Sequence, residues 1–182
     1  MSYSIGLDYG TNSVRCLIVD TASGEEVATA VSPYQTGEAG IILQSSDHNV
    51  ARQNPADYIQ GMEACVREAL KNARDQRRNF STDQVIGIGV DATSSTPLPV
   101  DKEGVPLSTH KEFQGNLNAL AWLWKDHTSY TEATEITDLA RKEKPQYLSK
   151  CGGTYSPEWY FSKILHCLRT DRKVFEAAWT WI

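Results

Sequence analysis

The chain has 182 residues, of which 40% are hydrophobic and 23% charged, with a formal net charge of -5. That length holds one sizeable core, or one domain and part of another, and the composition excludes disorder over most of it. An acidic balance without a Lys/Arg stripe argues against nucleic acid as a partner, and no apolar run nears the roughly 20 residues of a membrane helix. With no secretory leader at its start, the sequence points to the cytoplasm.

Ser4 to Asp8 and Val14 to Asp20 predict two strands joined by a tight turn. Thr21-Ala22-Ser23-Gly24 predicts a second turn into a strand from Glu26 to Ser32, giving an antiparallel three-strand meander. Pro33 to Gln53 is polar, carries Gly37 and Gly40, and reads as a long surface excursion. Asn54-Pro55 supplies an N-cap and a proline at the first helical position. Tyr58, Met62, Val66, Ala69 and Ala73 then recur at the spacing of a helix laid on a sheet.

Val85 to Val90 is a nearly continuous apolar run, as in a strand covered on both faces, and it ends at Asp91. Gly87 and Gly89 read as thin places in that packed strand. The G-x-G-x-x-A spelling of residues 87–92 lacks the helix that a dinucleotide fingerprint requires. Pro97 to Val100, the turn Asp101 to Gly104, and Val105 to Leu107 predict a hairpin confined to an edge.

Helices are expected near Asn116 to Lys125, near Thr131 to Arg141, from the Ser156 cap and Pro157 through Leu168, and from the Asp171 cap onward. The last keeps an apolar helical pattern to Ile182 without a stop signal, the ending expected of a truncated chain. Apolar surface left uncovered there predicts self-association. Cys16, Cys65, Cys151 and Cys167 form no C-x-x-C pair and read as reduced thiols in or near the core, and His166 beside Cys167 has no second ligand pair spaced to hold a metal.

The first turn carries the chemistry. Asp8 at a strand end, followed by Gly10, Thr11, Asn12 and Ser13, combines an anchor for a hydrated Mg²⁺ with a concave set of N–H and hydroxyl donors, the pair of features that phosphates of a metal-bound nucleotide need. Arg15 adds a positive charge that could equally pair with a neighbouring acid. Asp, Gly, Asn and Ser are also ordinary turn formers. The apolar strands on both sides, at the head of a meander-plus-helix unit, favour the phosphate reading. No Walker A sequence occurs, which excludes a P-loop.

The segments GLDYGTNSVR, GIGVDATSSTPLPVDKEG, WLWKDHT and GGTYSPEWYFSKILH, in this order along the whole chain, resemble the FGGY carbohydrate kinases. The resemblance implies an α/β ribonuclease-H-like domain of the actin-like ATPase fold, with ATP and a small-molecule sugar as ligands. It implies transfer of the ATP γ-phosphate to a sugar hydroxyl, the 5-hydroxyl of L-ribulose being favoured over xylulose, glycerol or gluconate. It places Asp8 at the Mg²⁺ and Gly10, Thr11, Asn12, Ser13 and Arg15 at the phosphates. Asp91, Thr93, Ser94, Ser95, Thr96 and Glu158 become candidate sugar contacts, although the loop residues are also turn formers before Pro97, and an acid in a first helical turn complements the dipole. Lys125 and Lys163 are within reach of such a cleft, though most lysines are simply solvated.

Family members run far past this length. Their general-base aspartate and adenosine-binding domain lie beyond Ile182, so residues 1–182 form the N-terminal part of the first kinase domain and are expected to be inactive alone. A stand-alone nucleotide- or phosphate-binding module is the alternative.

Overall fold

The computed structural model describes residues 1–182. In chain order the first elements are β1 (Tyr3–Tyr9), β2 (Ser13–Asp20), β3 (Glu26–Pro33), β4 (Ile42–Gln44), β5 (Asp47–Gln53), α1 (Pro55–Gln76) and β6 (Val85–Ala92). There follow β7 (Pro99–Val100), β8 (Ala121–Trp122), α2 (Tyr130–Glu143), α3 (Pro145–Leu148), α4 (Tyr160–Thr170), α5 (Arg172–Ala177) and β9 (Thr180–Trp181). They belong to two compact units, Met1–Ile41 with Asn54–Thr93, and Ile42–Gln53 with Ser94–Ile182.

The first unit is built on a four-stranded sheet in the order β3-β2-β1-β6. The expected meander is present: β1 and β3 each pair antiparallel with β2, and β6 then joins β1 in parallel. Strand alternation turns Tyr3, Ile5, Leu7, Val14, Cys16 and Ile18 to one face, where they bury against Cys65, Ala69 and Ala73 of α1. The Asn54 side chain accepts from Ala56 N at 3.1 Å, and Pro55 occupies the first turn, as predicted. Close helix–sheet approach depends on Gly61, where a Cβ would stand 2.8 Å from Val14 Cγ1.

One expectation for this part of the chain fails and another holds only in part. β6 is not covered on both faces: it has β1 as its one neighbour, and Ile86, Ile88 and Val90 are 70%, 65% and 66% exposed. The reason is that α1 packs on β2 and β3 and leaves β6 at the edge. The glycines of β6 are therefore not thin places in a packed strand, since no heavy atom lies within 4 Å of where a Gly89 Cβ would be. Residues Pro33 to Gln53 are exposed over much of their length, as expected, but they are not only a surface excursion. Tyr34 and Ile41 are buried in the first unit, and the segment continues into β4 and β5, whose Val50, Ala51, Arg52 and Gln53 are buried.

The second unit contains a three-stranded sheet, β4-β5-β8, and the short pair β7-β9. No helix spans Asn116 to Lys125. Asn116 caps a single tight turn, its side chain accepting from Asn118 N at 2.8 Å, and the chain then becomes β8, paired with Arg52 and Gln53. Ala119, Ala121, Trp122 and Leu123 are all buried, a run that one helix face could not bury and a strand can.

The predicted edge hairpin is replaced by a different pairing. The Asp101 turn exists, with Asp101 N donating to Val105 O at 2.9 Å, but the ladder partner of β7 is β9, through Pro99↔Trp181 and Val100↔Thr180. The helix begun at the Asp171 cap accordingly ends at Ala177, and the apolar residues after it form a strand. α2 lies where expected. The α4 helix starts at Tyr160, because Ser156 accepts from Glu158 N and organises a turn ahead of it. All four cysteines are free, His166 Nδ1 lies 3.0 Å from a Glu132 carboxylate oxygen, and no cluster of three metal-ligating side chains occurs.

Candidate functional site

In the first unit, β1 and β6 run parallel with Gly6 beside Gly89 and Asp8 beside Asp91. Alternation places these four on the face opposite Ile5 and Leu7. Added Cβ atoms at Gly6 or Gly89 would meet nothing within 4 Å, so the backbone itself is the floor of a groove of about 570 Å³. Leu17, Thr29 and Val31 line its other side, and its charged groups are Asp8, Arg15 and Asp91 on one side and Glu26 on the other.

Arg15 Nη1 donates to Asp8 Oδ2 at 3.0 Å across the β1–β2 ladder, the pairing with an acid that the sequence left open. Both side chains remain substantially exposed, 60% for Arg15 and 44% for Asp8. Two carboxylates on adjacent strands beside one guanidinium leave an excess of negative charge, a donor set suited to a hard, hydrated cation.

The hairpin tip is already engaged in its own fold. Gly10 N donates to Ser13 O at 2.9 Å, Asn12 O accepts from Tyr34 N at 3.0 Å, and Asn12 Nδ2 donates to Ala39 O at 2.6 Å. Gly10, Thr11, Asn12 and Ser13 do not line the groove, whereas Asp8, Arg15 and Asp91 do. Thr93 N donates to Tyr9 O at 3.1 Å and extends the β1–β6 pairing beyond Ala92.

Ser94, Ser95, Thr96 and Glu158 belong to the second unit. Ser95 has φ 57°, a left-handed backbone that a non-glycine residue adopts at a cost of about 1–2 kcal/mol. Its carbonyl accepts from Lys163 Nζ at 2.8 Å. Thr96 Oγ1 accepts from Trp124 N at 3.1 Å and donates to Ser94 O at 3.3 Å. Glu158 Oε1 lies 3.0 Å from His127 Nε2, in a partly exposed pair.

Lys163 is the residue the sequence reading undervalued. It is fully buried, and desolvation, helped by Arg52, pushes its ammonium down to about 7. Its spacing of four from buried Cys167 placed it on the inner face of α4, and that was the available signal. Nearby, Arg52 stacks 3.6 Å over Trp122 and forms a fully buried ion pair with Asp126, which also accepts from Ala51 N at 2.7 Å.

A chain with this sheet and this groove belongs to the FGGY family of carbohydrate kinases: residues 3–182 match the family's N-terminal domain. The relatives are more particular. A ribulokinase of Vibrio parahaemolyticus is 38% identical over 179 residues, covering 98% of this chain and 31% of the relative. A ribulokinase of Shouchella clausii is 39% identical over 180 residues, covering 97% of this chain and 31% of the relative. Among solved structures, a ligand-bound xylulose kinase from Lactobacillus acidophilus superposes with a TM-score of 0.69 at 16% identity, covering 100% of this chain and 31% of that one. The likeness to that enzyme establishes the shared sugar-kinase fold. The chain thus spans about 31% of the length of the curated relatives it matches.

Proposed function

We propose that this chain is the N-terminal part of an ATP-dependent sugar kinase that phosphorylates L-ribulose on its 5-hydroxyl in L-arabinose catabolism. The observation that carries the reading is the in-register pair Asp8 and Asp91 at the end of a glycine-floored groove, with Arg15 beside it, in a chain of the FGGY family. Ribulokinases at 38% and 39% identity support ribulose over other sugars.

In this reading Asp8 would hold a hydrated Mg²⁺. The metal would supply charge neutralisation for the transferring phosphoryl group. Arg15 keeps the Asp8 carboxylate oriented and adds positive charge toward the phosphates. Gly6 and Gly89 let the ligand approach the backbone, and Gly10, Thr11, Asn12 and Ser13 hold the hairpin shape that faces the β and γ phosphates. Asp91, Thr93, Ser94, Ser95, Thr96 and Glu158 are the proposed sugar contacts. The general base and the adenosine-binding domain lie outside these 182 residues, so the piece alone is expected to be inactive. A cytoplasmic setting fits such a metabolic role, and no helix is long and apolar enough to cross a membrane.

The test is ADP release with L-ribulose, ATP and Mg²⁺, run on this chain and on the full-length protein that carries it. Activity in the full-length protein alone, abolished by Asp8→Ala, is the expected result. Turnover of D-xylulose or glycerol in preference to L-ribulose would replace the substrate, and nucleotide binding without turnover of any sugar would favour a binding module.

A further inference from the structure

Lys163 has 0% exposure, yet its Nζ meets carbonyl oxygens and no carboxylate: Ser95 O at 2.8 Å, Leu123 O at 2.8 Å, Trp122 O at 3.3 Å and Trp124 O at 3.4 Å. An ammonium has three N–H donors, so these four acceptors saturate it. Burying a cation without a counter-ion in contact is costly, and a site that needed only packing would be served by a methionine or leucine.

What the cation does locally is specific. One of its two shortest bonds goes to the carbonyl of Ser95, which holds a left-handed backbone without being glycine. The other goes to the 122–124 segment, from which Trp124 N also reaches Thr96 Oγ1. The three-residue loop is thereby pinned to that segment at two successive residues. Without the lysine, Ser95 has a steric incentive to relax to negative φ, and relaxing one residue redirects the hydroxyls on either side of it.

We propose that Lys163 is the positioning residue of the substrate loop, holding Ser95 in its left-handed turn so that Ser94, Ser95 and Thr96 meet the sugar in one fixed arrangement. The proposal rests on the sugar-kinase reading above. It assigns Lys163 no contact with sugar or ATP.

The experiment is Lys163→Met in the full-length protein, with steady-state kinetics in both substrates. The KM for L-ribulose should rise about tenfold or more, while the KM for ATP stays within about twofold. Ser95→Gly, which accepts positive φ freely, should be coupled to it, the double variant losing less than the two single losses combined. An unchanged sugar KM, strict additivity, or a parallel loss in every parameter together with thermal stability would overturn the proposal. If Lys163→Met does not fold, the lysine Nζ resonance of the wild-type protein decides: saturating L-ribulose should shift it, and an unmoved resonance overturns the role. If the wild-type protein phosphorylates no pentulose, the functional reading fails by itself. The clamp is then judged by hydrogen exchange at the Ser95 and Thr96 amides, which should lose protection in Lys163→Met while the rest of the second unit keeps it. Unchanged protection there would overturn it.

Discussion

The two units treat charge in opposite ways. In the first, Asp8, Asp91 and Arg15 stand over a floor with no side chains, and space is kept open beside them. In the second, Arg52, Asp126 and Lys163 are fully enclosed, and stacking, an ion pair and carbonyl oxygens satisfy them. The contrast separates two uses of polar residues. An exposed charge costs the fold little and remains available to a ligand, whereas a buried one is part of the fold and cannot be removed alone.

That comparison can be broken most directly at the buried pair. Asp126→Asn keeps the shape but leaves Arg52 without its counter-charge, and it should destabilise the second unit by about 3–5 kcal/mol. Urea denaturation showing a loss under about 1 kcal/mol would mean that the enclosed charges are not structural. At the open site the expectation reverses. Asp8→Ala in the full-length protein should lower kcat by about 10²- to 10³-fold with thermal stability nearly unchanged.

Gly89→Val sharpens the same point with a smaller effect. The added side chain has room and a strand-forming preference, so the fold should hold, while the filled groove should raise the KM for ATP about tenfold. Equal loss of stability and affinity would show that the glycine floor serves packing after all.

Acidity discriminates between the units more gently. Burial holds Lys163 at about 7, well below its ordinary value, so above pH 7 the unfolded chain binds the extra proton and the folded chain does not. Stability should therefore rise from pH 7 toward pH 9 in wild type, and Lys163→Met should lack that rise; urea midpoints at both pH values in both proteins provide the check. The smallest effect concerns the exposed edge. Ile86, Ile88 and Val90 on an edge strand should promote weak self-association of this chain, reduced by Ile88→Lys. A clean monomer by light scattering at all concentrations would remove that expectation.

The readable parts of the sequence were those governed by local rules. The meander followed from alternation and turn residues, α1 from Asn54-Pro55 and its apolar stripe, and α5 from Asp171. The errors came where distant partners decide the conformation. Ala121 and Trp122 satisfy a helical pattern in isolation, but Arg52 and Gln53 turn them into a strand. Trp181 likewise continues a helix until Pro99 pairs with it.

β6 shows the converse. Its apolar run predicted burial, and the strand formed, but coverage depends on which elements lie above it and not on its own composition. Within the site, Asp8 and Asp91 were both legible as candidates, while their adjacency is a property of parallel register that no single segment encodes. Lys163 was visible as a lysine and invisible as a buried one, because its acceptors are backbone atoms contributed by two other segments.

The interleaving of the chain between the units also has a temporal meaning. β5 belongs to the second unit although it is made midway through the first, and 75 residues separate Ala51 from Asp126, whose carboxylate accepts its N–H. At about 5–20 residues per second, a ribosome takes roughly 4–15 seconds to span that gap. During the interval the first unit can reach its full sheet, while Arg52 and the outer edge of β5 wait in water for partners not yet synthesised. The second unit is thus bound to fold after the first on the ribosome, and slowing translation between α1 and β8 would lengthen the exposure of that waiting strand.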